Sequence, residues 1–236
     1  MYCEWKSGAP ISSSLAKLPS RIDYVEEVYK AVLDAISDGS LAPGARITQE
    51  GIAKQLAVSR SPVLQALRML KKDGFVQDAP GRGCQVAPLD VDWIHKVYEI
   101  RGALDALASR LAAEHGRQID PALIAAGRQA SESSDVKGMI DADLAFHSAI
   151  YDASDNPLIV ESARLHWTHL RRVMGAVLQY SSQRSTIWDE HQAIAGAIAA
   201  GDGTRAAELT DLHTTRARFS LTERLGKMLN NPTSTI

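Results

Sequence analysis

Asp143 and His147 stand four residues apart in a stretch patterned as a helix, so their side chains share one helix face. His191 and His213 fall in two later helical stretches. One carboxylate and three imidazoles from three helices form a donor set for a divalent ion. Mixed nitrogen and oxygen donors suit zinc, with nickel, manganese and iron as alternatives. The residues alone leave two readings open: convergence on one ion, or a surface Asp143–His147 pair with two unrelated histidines. A converged site keeps open positions that water or a carboxylate ligand fills. Arg101 carries a guanidinium, a group that grips a carboxylate with two parallel bonds. It also stands four residues before Asp105, which makes a helical ion pair an equal alternative. Arg171 and Arg172 are further candidates, of which at most one points inward. Trp188 reads as core before pocket wall, and His95, His115, His166 and His169 have no assignable role.

A second chemistry lies between Gly44 and Gly83. The spacing of Ile52, Ala53, Leu56, Val63, Ala66, Leu67 and Leu70 fits two short amphipathic helices. Ala57-Val58 leaves room only for a tight turn, which makes the pair a helix-turn-helix. Ser59 is placed to cap the second helix, expected over about Ser61 to Lys72, and Pro62 falls in its first turn. Phe75-Val76 and Gln85-Val86 read as two short strands around a Gly/Pro-rich tip, a wing carrying Arg82 and Gly83. Ser59, Arg60, Ser61, Pro62, Gln65, Arg68, Arg82 and Gly83 are the candidate DNA contacts. From Lys54 to Arg82 there are six basic residues against Asp73 and Asp78, in a chain of formal net charge −2. That local excess is what counterion release requires.

Both regions resemble a known family. Gly39-Ser40-Leu41-Ala42-Pro43-Gly44, the run Val58 to Leu67, and Gly81-Arg82-Gly83 are similar to the N-terminal domain of GntR-family bacterial transcription regulators. Leu64 and Gln65 stand where that family usually has Arg and Glu, which points to a different operator or weaker binding. Residues from about Val91 to Leu225 resemble the FCD ligand-binding domain of the family's FadR branch. The matching positions are Asp143, His147, the Glu190-His191 pair and His213. The resemblance implies that Asp143, His147, His191 and His213 bind a metal inside the bundle, and that Arg101 faces the effector pocket.

These residues need a scaffold of helices, and the chain supplies it. With 236 residues, 45% hydrophobic and 6% aromatic, it has room for two modest domains rich in helix. The expected fold is mainly α: a winged helix-turn-helix followed by an all-α bundle of about six helices. The expected division is a tail over 1–20, the winged domain over 21–87, a linker over 88–90, a metal-binding and dimerising bundle over 91–229, and a tail over 230–236. Cys3 and Cys84 read as free thiols of a reducing compartment. No apolar run suits a membrane span or a signal peptide, so the expected location is the cytoplasm.

The combined expectation is a homodimeric repressor of double-stranded operator DNA, controlled by a small carboxylate bound at the metal. Two alternatives remain: a sensor of the metal itself, and a metallohydrolase with Glu190 as its base.

Overall fold

The computed structural model describes residues 23–81, 83–178 and 186–230. Cys3, Arg82, the expected 1–20 tail, the helix end at Tyr180, the helix start at Arg184 and the tail beyond Asn230 lie outside the described residues.

The N-terminal unit contains α1 (Tyr24–Ser37), β1 (Arg46–Ile47), α2 (Gln49–Gln55), α3 (Arg60–Lys72), β2 (Val76–Asp78) and β3 (Cys84–Val86). Asp23 caps α1 by accepting from the Val25 and Glu26 amides. Val28, Val32 and Ile36 recur at helical spacing and bury against Val63, Ala66, Leu67 and Leu70 of α3. Each such side chain contributes about 1.5–3 kcal/mol by leaving water. Ala57 turns the chain between α2 and α3 with φ of 52°, in the left-handed region.

Three details differ from expectation. Ser59 occupies the N-cap position of α3, but its side chain makes no capping bond. Leu56 ends α2 on the outside, 37% exposed, rather than in the core. The sheet has a third strand, in antiparallel order β1-β3-β2, with Arg46 opposite Gln85 and Val76 opposite Val86. Two residues are too short to show alternation, and β1 is fixed instead by the Val86 amide donating to the Ala45 carbonyl at 2.9 Å.

The bundle contains α4 (Val91–Glu114), α5 (Pro121–Glu132), α6 (Val136–Ala153), α7 (Pro157–Leu178), α8 (Ile187–Ala199) and α9 (Gly203–Asn230). Asp90, Asp120 and Asp135 cap α4, α5 and α6 through the amides of Trp93, Ala122 and Gly138. The long helices α4 and α9 lie along one another. Phe146, Ile150, Trp167, Trp188, Ile194 and Ile198 form the centre of the core.

Helix α7 joins the two units. His169 stacks on Phe75 with ring centres 4.1 Å apart, and its Nε2 meets the Asp73 carbonyl at 3.0 Å. Three residues on, the Arg172 guanidinium donates to the Ala87 carbonyl. Burial pushes His169 down to about 4 and Arg172 down to about 10. The folded His169 ring stays neutral to about pH 4, whereas an unfolded ring takes a proton near pH 6.5. Its contribution to stability is therefore complete above pH 6.5 and is lost as pH falls toward 4. Denaturant unfolding at about pH 7 and about pH 4.5 tests this: His169→Gln should lose roughly 2–3 kcal/mol less on acidification than the parent. Equal losses in the two proteins would show that His169 is not the titrating group.

Candidate metal centre and nucleic-acid interface

Helix α6 places Asp143 and His147 on one inward face, and α8 and α9 bring His191 and His213 to the same point. All four residues are buried, at 5%, 1%, 0% and 2% exposure. The His191 Nε2 lies 3.4 Å from the His213 Nε2 and 3.3 Å from the Asp143 Oδ1. The His147 Nε2 is 3.9 Å from the same oxygen. One donor atom from each residue lies within 4.8 Å of all the others. Donors at about 2.1 Å around a tetrahedral ion stand about 3.4 Å apart, so two of these separations already match. The outer nitrogens have carboxylates behind them. His213 Nδ1 is 2.8 Å from Glu190 Oε2, and His147 Nδ1 is 3.4 Å from Asp105 Oδ2. Such partners fix the tautomer and aim the other ring nitrogen, Nε2, at the centre. Among the described residues, His147 Nε2 is buried without a hydrogen-bond partner. Burial, with Arg101 and the two other imidazoles nearby, holds His147 well below its ordinary value, so the ring is neutral and its lone pair free to ligate.

The two readings of Arg101 coexist. Its Nε is 3.0 Å from Asp105 Oδ2, and its guanidinium covers the Trp167 ring at 4.1 Å. It also lines a cavity together with Asp143 and His213. Burial works against the Arg101 charge, but Asp105, Tyr151, Tyr98 and Asp143 together more than offset this and keep it protonated. Burial pushes the Asp105 carboxyl up, against the pull of Arg101 and a hydrogen bond from the Tyr151 hydroxyl. Arg171 pairs instead with Asp141 at 2.8 Å, and Arg172 turns to the N-terminal unit, so neither lines this cavity. Trp188 does both things considered for it: it is core, and it walls the cavity.

Glu190, Asp105 and Tyr151 are the parts that sequence reasoning missed as support for the histidines. Glu190 reads from the sequence as a neighbour of His191 and as a candidate base, yet it braces His213 and takes an ion pair from Arg216 at 3.0 Å. It therefore sits behind His213, on the side away from Asp143 and His191.

On the other unit, α3 exposes Ser59, Arg60, Ser61, Gln65 and Arg68, with Pro62 half-buried. Ser61, Gln65 and Arg68 follow helical spacing along one face, and Leu64 shares it at 41% exposure. Arg60 pairs with Glu50 at 3.2 Å with both side chains in water, a contact worth about 0–1 kcal/mol and easily exchanged for a phosphate. Gln49 donates to the Arg60 carbonyl at 2.6 Å, which ties α2 to the start of α3. In the wing, Gly83 is exposed with φ of 98° and accepts from the Ala79 amide at 3.1 Å. Cys84 is a free, half-buried thiol, pushed up by burial.

Gly127 is what lets Trp188 form its wall. A Cβ at Gly127 would overlap the indole, whose N–H donates to Ser131 Oγ at 2.8 Å. Gly127→Ala is expected to cost about 1–3 kcal/mol by overpacking and to lower Tm by about 2–10 °C. An unchanged melting curve would mean that the indole is free to move.

Comparison with known proteins follows this division. Residues 96–216 match the FCD domain family, and residues 24–86 match bacterial regulatory proteins of the gntR family. The chain is 31% identical to the HTH-type transcriptional regulator McbR of Escherichia coli (strain K12) over 61% of its own length and 66% of that protein's. It is 29% identical to the HTH-type transcriptional regulator LutR of Bacillus subtilis (strain 168), over 76% of this chain and 93% of that one. The solved structure of E. coli McbR/YncC superposes with a TM-score of 0.73 at 22% identity, covering 87% of this chain and all of the other, a likeness of fold. These relatives are regulators and not enzymes, which sets aside the hydrolase alternative. No described helix is long and apolar enough to cross a membrane. The chain belongs to the GntR family of DNA-binding transcriptional regulators, among those that carry an FCD domain.

Proposed function

We propose that this regulator is a repressor that binds double-stranded operator DNA as a homodimer, and that a small carboxylate bound beside a divalent ion in the bundle lowers its operator affinity. In this reading residues 21–87 bind DNA, with Ser59, Arg60, Ser61, Pro62, Gln65, Arg68, Arg82 and Gly83 as its contacts, and 88–90 link them to a metal-binding and dimerising unit over 91–229. The ion is zinc first, with nickel, manganese or iron as alternatives, held by Asp143, His147, His191 and His213.

The observation that carries this is the convergence of those four buried donors beside Arg101 and a cavity. Formal charges support it. Arg101, Asp105 and Asp143 leave the buried cluster one unit negative. A divalent ion would make it one unit positive, which a monocarboxylate neutralises. When bound, the ion supplies a positive centre that attracts the carboxylate. Arg101 is placed to receive that carboxylate, and the surrounding apolar walls exclude water from it. The response to DNA must come from different ligand affinities in two domain arrangements. Helix α7 is the natural route, since Trp167 lies under Arg101 while His169 and Arg172 touch the N-terminal unit.

Metal analysis of the dialysed protein is expected to give one ion per chain. Glu190→Gln, which leaves the ligands themselves intact, should weaken zinc binding about 10–100-fold. A folded protein that takes up none of the four metals would end this reading. DNA binding is tested with duplexes selected from a random pool. Affinity should fall steeply with salt, and Arg68→Ala should reduce the slope of log K against log[salt] by about 0.9 for each phosphate that the side chain neutralises. A slope unchanged in this variant would remove Arg68 from the phosphate contacts.

A further inference from the structure

We infer that the effector of the cavity beside Arg101 is a monocyclic aromatic carboxylate, of about nine non-hydrogen atoms; this rests on the carboxylate-at-metal reading above. Size is the first constraint. The cavity has a volume of about 100 Å³. One water needs on the order of 10–15 Å³ of such space, so there is room for roughly seven to ten particles of that size. A ring bearing one carboxylate is of that size.

Polarity is the second constraint. Arg101, Asp143 and His213 stand at the metal end, and Ser131, Ser220 and Arg224 are the other polar residues of the lining. Beyond them, Met139, Met174, Leu178, Ile187 and Leu221 present carbon and sulfur. A ligand with several hydroxyls would leave them facing these side chains, and each unpaired one costs roughly tenfold or more in affinity. Along α9 the lining residues His213, Ala217, Ser220, Leu221 and Arg224 recur on one face. They span about 16 Å of axis at 1.5 Å per residue. The cavity therefore runs lengthwise, from the metal donors at His213 to a half-buried cation at Arg224.

The third constraint favours a ring over a saturated chain. The Trp188 indole lines the cavity, packed close to Gly127 and in edge contact with His191 at 4.7 Å between ring centres. Tyr98 adds a second ring, and the thioethers of Met139 and Met174 make favourable contacts with aromatic edges.

Calorimetry on the zinc-loaded full-length protein tests this, with benzoate, benzamide, hexanoate, succinate, L-lactate and acetate as probes. Benzoate is expected to bind at least tenfold tighter than any of the others. Met174→Gln and Met139→Gln should each narrow the benzoate-to-acetate ratio several-fold. If acetate binds but L-lactate, succinate or hexanoate equals or outranks benzoate, the aromatic assignment is overturned and the carboxylate reading stands. If benzamide equals benzoate, or no carboxylate binds at all, the carboxylate reading itself falls and takes this inference with it.

Discussion

A guanidinium and a carboxylate buried side by side on α4 set the terms for the whole bundle. Ions taken from water cost several kcal/mol each unless they are paired and hydrogen-bonded. Asp105 meets that demand by serving three elements. It pairs with Arg101 on its own helix, accepts from Tyr151 on α6, and faces the His147 Nδ1 one turn earlier on α6. Tyr151 in turn accepts from the Trp167 indole of α7 at 2.9 Å, and Arg101 lies over that indole. The ion pair thus fixes how α4, α6 and α7 meet. It also turns His147 so that its second nitrogen faces the other donors. His147 thus takes its orientation from this pair, as His213 takes its own from Glu190.

Much of this was legible in the sequence because it is written in short-range patterns. Asp90, Asp120 and Asp135 announce helix starts, and α1 and α3 show their buried faces at helical spacing. The four donors were legible by residue type and by the four-residue step from Asp143 to His147. Their supports were not. Asp105 and Glu190 look like ordinary charged residues on helices, and only the fold removes the first from water and turns the second onto His213. The junction had no signal at all, since His169 and Arg172 bond to backbone carbonyls, groups that every residue carries. Ser59 misled for a related reason. A serine before a helix has the chemistry of a cap, but here its hydroxyl stands on an exposed edge without making the bond.

The two ends of the molecule handle charge in opposite ways. The face of α3 leaves its cations in water, paired loosely or not held, where a polyanion can displace the solvent around them. The bundle hides Arg101 and surrounds it with rings and one carboxylate. Helix α7 is the physical contact between these regimes, with Trp167 in one and His169 in the other.

Gly127 and Trp188 have a consequence for how such a pocket can evolve. The two residues share one fixed volume, because the indole occupies the space that a side chain at 127 would need. Neither can enlarge alone. A smaller ring at 188, however, would free room on the cavity side while a methyl at 127 refilled the core side. Cavity size can then change through a paired exchange that leaves the total packing of the bundle the same. A differently sized cavity lies two substitutions away, and the order in which they arise is constrained: the indole must shrink before the glycine can grow.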